Sequence, residues 1–117
     1  MTIESANVPA LQLHLVDIAR RTKGLEQQRS AIMREYVPNV KNRLMGYDSL
    51  FGTGYVRHVA HHVHQDYPDK EIRDLYFKDI RYRSKLRKIR DKISLLGEEY
   101  DTTLGQIKSM AGQKSVN

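Results

Sequence analysis

Four of the chain's five histidines fall within ten residues, RHVAHHVHQD at positions 57–66. If this stretch is helical, His58, His61 and His62 share the face opposite the valines, and Asp66 continues that face. A His-x3-His pair sets two imidazoles one turn apart, the spacing a transition metal needs, so His58, His62 and Asp66 form a candidate ligand set. Nothing elsewhere in the sequence supplies a fourth ligand, or a general base like the Glu of a zinc-protease helix. The plainer reading is a row of solvent-facing histidines pairing with nearby acids. On that reading no metal and no other cofactor is expected.

The second concentration of chemistry is RYRSKLRKIRDK, positions 81–92. Seven basic residues, Arg81, Arg83, Lys85, Arg87, Lys88, Arg90 and Lys92, stand there against one acid, Asp91. The whole chain carries a net charge of +6, so these twelve residues account for all of its excess. A field concentrated in this way attracts polyanions: nucleic acid, an acidic protein face or anionic lipid. Tyr67, Tyr76, Phe77 and Tyr82 lie before or within the run, and cations for phosphates with rings for base stacking compose a nucleic-acid surface. Tyr82 falls on an apolar seam and is expected in the core. Tyr76 and Phe77, beside Leu75, are expected to pack against the middle of the chain. Arg81, Arg87 and Lys88 point away from the seam and are the phosphate-contact candidates. With no helix-turn-helix, zinc-finger or RNA-recognition signature, binding would follow backbone and shape rather than base sequence. The competing reading is a solvated helix face.

Arg57 and His62, with four residues between them and polar His58 directly after the Arg, admit a third chemistry. This spacing resembles the Arg-x4-6-His motif of HEPN ribonucleases, small all-helical proteins whose two motifs meet in a dimer to form one metal-independent RNA-cleaving site. The resemblance covers six residues. It implies His62 as acid–base catalyst and Arg57 steadying the scissile phosphate. No glycine-rich phosphate loop is present, because GTG at 52–54 lacks the Lys-Ser/Thr that would follow.

These residues have to be positioned by helices. From Asp66 to about Ala111, Ile72, Leu75, Tyr82, Leu86, Ile89, Ile93, Leu96, Tyr100, Ile107 and Met110 recur at alternating steps of three and four, with Asp79 and Thr103 the only breaks. That heptad seam predicts one long coiled-coil-type helix over about 67–111, capped by Asp66, with Pro68 in its first turn. Gly112 is expected to end it, leaving 112–117 as a frayed tail. Asp69–Arg73, Asp74–Lys78 and Asp79–Arg83 are acid-before-base pairs at i, i+4. Upstream, Leu11, Leu15, Ile18, Thr22, Leu25, Arg29, Ile32 and Tyr36 alternate by four and three, predicting a helix over about 9–36 that starts at Asn7 and Pro9 and stops at Pro38. Residues 1–6 read as a loose terminus. Segment 37–66 reads as irregular with short helices: one within 40–47, a loop at DSLFGTG, and an amphipathic turn carrying Val56, Val59, Ala60 and Val63.

The expected fold is therefore all-α: a single helical domain shaped as an elongated, coiled-coil-like antiparallel hairpin with a small helical cap. A parallel pairing of two long helices would bring Arg83, Lys85, Arg90 and Lys92 face to face, whereas an antiparallel first helix offers Glu26 and Glu35. The long helix outreaches the first, so its distal seam (Leu96, Tyr100, Ile107, Met110) is expected to need a partner helix or a second copy. The sequence has no Cys and no run of 18 apolar residues, and no charged-then-apolar signal region opens it. These features point to a cytoplasmic protein without a membrane partner. The expected function is a non-enzymatic adaptor or assembly subunit, of a kind that suits a viral or mobile-element complex. It would dock through its coiled coil and offer 81–92 to nucleic acid or an acidic protein. A dimeric ribonuclease is the alternative.

Overall fold

A computed structural model describes residues 3–62 and 69–116, with the side chains of 3–6 and 113–116 excepted. The described residues are helical and include no strand, and the fold is an all-α antiparallel hairpin. Helix α1 spans Ile3–Tyr36, a π-helical turn spans Val37–Lys41, α2 spans Asn42–Phe51, α3 spans Tyr55–Ala60 and α4 spans Asp69–Val116. The chain forms two compact units, one of residues 1–28 with 89–117 and one of residues 29–88.

In the second unit the sequence expected a stop at Pro38. The α geometry does end at Tyr36, but the helical path continues. Proline has no N–H to give the preceding turn, and its ring would strike the carbonyl four residues back. The chain accommodates both by widening to π pitch, with the Asn42 N–H donating to the Val37 carbonyl. α2 then includes Asp48 to Phe51, which the sequence placed in a loop, and the reversal is confined to 52–54. Gly52 (φ +112°) and Gly54 (φ +86°) make that reversal in backbone conformations that L side chains rarely adopt. Asp48 Oδ1 accepts the Val56 N–H at 2.9 Å and satisfies an orphan donor in the first turn of α3.

The core of this unit lies where the π turn, α2 and α3 cover the first turns of α4. Tyr36, Val40 and Leu75 are buried together, as are Val56, Val59 and Ile72, with Leu44 and Tyr47 packed against both groups. Tyr82 is half-buried beside the first group, as expected from the seam. Tyr76 packs against the second, but Phe77 stays 45% exposed and touches only the edge of Tyr76 among the described rings. Asp79 keeps the seam's register as a polar member. Tyr36 Oη donates to its Oδ1 at 2.5 Å, and Arg83 lies 3.7 Å from the other oxygen. Burial and the Asp79 carboxylate push the Tyr36 phenol up to about 12.

In the first unit α1 and α4 run antiparallel, tied by His14 Nε2 and Glu99 Oε1 at 2.7 Å. Ile18, Ile89 and Thr103 are buried. Thr103, the other break in the seam, donates to the Glu99 carbonyl at 2.8 Å, so its hydroxyl is satisfied within its own helix. Two boundaries differ from expectation. α1 begins at Ile3 rather than near Pro9, residues 1–6 are not wholly outside it, and α4 passes Gly112 to Val116. The His14–Glu99 register sets Ile107 and Met110 level with the first two turns of α1. No helix among the described residues is long and apolar enough to cross a membrane.

Candidate anion-binding groove

The π turn has a consequence for charge. It brings Asn39, Val40 and Arg43 against α4, where Leu75, Lys78, Arg81, Tyr82 and Lys85 follow one another at helical spacing. These eight residues line a groove of about 440 Å³ with an apolar floor (Val40, Leu75, Tyr82) and four cationic walls. No carboxylate lines it. Arg43 is held in place by an ion pair with Glu71, which also accepts the Tyr47 hydroxyl at 2.6 Å. Lys85 Nζ sits 5.9 Å from the centre of the Tyr82 ring, a weak cation–π contact that orients it. Lys78 and Arg81 make no ion pair among the described residues. Lys78, Arg81 and Lys85, which make no ion pair among the described residues, focus a positive potential above the apolar floor, and a phosphate or carboxylate entering the groove would meet several donors at once.

All seven basic residues of 81–92 are exposed. The structure divides them. Arg81 and Lys85 line the groove, whereas Arg83 turns to Asp79. Arg87 and Lys88 make no ion pair among the described residues. In the other unit, Arg90 lies 3.6 Å from Asp91, and Lys92 flanks an apolar hollow. The sequence reading missed Arg43 and Lys78. The i, i+4 spacing pairs Lys78 with Asp74, yet of the three acid-before-base pairs only Asp79–Arg83 closes among the described residues. The available signal was the i, i+3, i+4, i+7 series from Lys78 through Arg81 and Tyr82 to Lys85. Arg43 had none, because only the register between π turn and α4 brings it near.

The histidine cluster is partly assembled. His58 on α3 and His62 in the turn after it stack with ring centres 4.1 Å apart, and both are exposed. The His58 carbonyl lies 2.6 Å from His62 Nδ1, so Nδ1 carries the proton in that bond. His61 leaves the shared face expected for it and meets the edge of the Tyr76 ring at 5.9 Å. The expected third ligand and helix cap, Asp66, and with it Tyr67 and Pro68, lies outside the described residues. Among the described residues no three His, Cys, Asp or Glu side chains come together as a metal site. Arg57 is exposed and forms no hydrogen bond or ion pair with His62. Comparison with protein-family models, with curated proteins and with solved structures finds no match to this chain.

Proposed function

We propose that the chain is a non-enzymatic helical adaptor or assembly protein that docks through the apolar surface of its helices. It binds an anionic partner, the phosphate backbone of a nucleic acid, through the groove of Arg43, Lys78, Arg81 and Lys85 and the neighbouring Arg87 and Lys88. The observation that carries this reading is the convergence of Lys78, Arg81 and Lys85, none in an ion pair among the described residues, on one groove beside the Glu71-paired Arg43. A charged surface that only kept the protein soluble would interleave both signs.

The test is fluorescence anisotropy of a labelled RNA strand and a labelled DNA duplex at low and physiological salt. Binding is expected to weaken steeply as salt rises. Neutralising Arg81, Arg87 and Lys88 together should weaken binding and flatten that slope, and unchanged affinity would remove the reading. Binding to neither probe at low salt would leave an acidic protein as the partner.

A dimeric HEPN-like ribonuclease using Arg57 and His62 is the second reading. It is favoured by the exposure of both side chains and by the Nδ1 hydrogen bond that fixes the His62 ring. Recovered RNA would then be shortened, and His62→Ala would abolish the shortening while leaving groove binding intact.

A further inference from the structure

In the unit of residues 1–28 and 89–117 the described residues belong to α1 and α4, two helices that cover each other's seam from one side. One flank of this pair is a groove of about 630 Å³ floored by Ile18, Thr22, Leu96 and Tyr100. Thr22 donates to the Ile18 carbonyl at 2.9 Å, so it presents a methyl group and no unsatisfied hydroxyl. Tyr100 is 36% exposed and its hydroxyl has no partner among the described residues, which gives an amphipathic ring suited to an interface. Ala19 and Gly97 on the walls are small, and the space a Cβ would take at Gly97 is open, so a helix backbone can approach closely.

The charges on this groove identify its occupant. Lys23 and Glu26 stand one turn apart on its α1 rim and Asp101 stands on its α4 rim; all three are exposed and none makes an ion pair among the described residues. Two opposite charges at i, i+3 are self-complementary under a two-fold axis passing between them. When α1 crosses an antiparallel α1, Lys23 of each copy faces Glu26 of the other. The opposite flank, with Leu25, Leu95 and Leu96, is rimmed by Lys92 and by Arg21, which already pairs with Asp17 at 3.3 Å, so it offers no such self-complementary pair.

We propose that a second copy of this chain seats in the Ile18–Tyr100 groove, α1 against α1 about a two-fold axis, with Lys23–Glu26 pairs closing the rim. This rests on the assembly reading given above and adds its partner and its face. The experiment is sedimentation equilibrium of the full chain over about a hundredfold range of concentration. Helicity and labelled-RNA anisotropy are followed on the same samples. The expected result is a reversible dimer of twice the 13.6 kDa chain mass. Lys23→Glu and Glu26→Lys should each weaken it by about tenfold or more, and the swap carrying both should restore it. Leu95→Glu, on the opposite flank, should leave it unchanged. A monomer at every concentration would overturn the proposal, as would a dimer dissolved by Leu95→Glu but not by the charge reversals. Salt-dependent RNA binding that persists in a monomer would remove this interface while leaving the anion-binding reading in place.

Discussion

Tyr36→Phe is the sharpest test of how the hairpin is held in register, because it deletes one oxygen from the packed seam. In the native chain that hydroxyl donates to Asp79 at 2.5 Å and the tyrosine is only 6% exposed. A hydrogen bond to a charged group contributes about 1.5–3 kcal/mol, and the carboxylate left behind would keep only Arg83 at 3.7 Å. Urea denaturation followed by helix ellipticity at neutral pH should therefore show a loss of about 2 kcal/mol.

The pH dependence gives a second arm. The Tyr36 phenol is raised from 10.0 to about 12 in the folded chain, so its contribution is fully present below pH 10 and is lost as pH rises towards 12. That loss amounts to about 2–3 kcal/mol in the native chain and should be missing from Tyr36→Phe, so the two stabilities converge at high pH. Pairing Tyr36→Phe with Asp79→Leu removes both polar ends and completes the apolar series, and should recover most of what either change costs alone. A neutral-pH loss below about 0.5 kcal/mol, or parallel pH profiles, would refute this account of the Tyr36–Asp79 bond.

Three further outcomes are expected. Lys78→Gln with Arg81→Gln should lower the slope of log affinity against log salt for duplex DNA by about 1.8, the value for two lost phosphate contacts, with helicity unchanged. Ile72→Ala, at the most buried position among the described residues (0% exposed), should cost about 2–5 kcal/mol in thermal or urea unfolding. Gly54→Ala meets no neighbouring atom but must hold φ +86°, so calorimetry should show a loss of about 1–2 kcal/mol from the backbone alone.

The sequence alone determined the all-α class and which face of each long helix turns inward. Both follow from local periodicity, which places every third or fourth side chain on one stripe whatever the stripe packs against. Ile18, Tyr36, Ile72, Leu75 and Ile89 lie buried on those stripes, and even Asp79 and Thr103 keep the register they seemed to break. The concentration of charge in 81–92 was equally legible, because exposure of Lys and Arg needs no partner to be foreseen. Only the tertiary structure decided what meets what. The path through Pro38 is set by how one ring is accommodated in a helix. The residue facing Asp79 depends on the offset between α1 and α4, and so does the grouping of Arg43 with Lys78, Arg81 and Lys85. A heptad pattern repeats identically at every turn and cannot choose among such offsets. The π turn, the glycine reversal and the interlocking of Tyr36, Val40 and Leu75 choose one, and with it the groove.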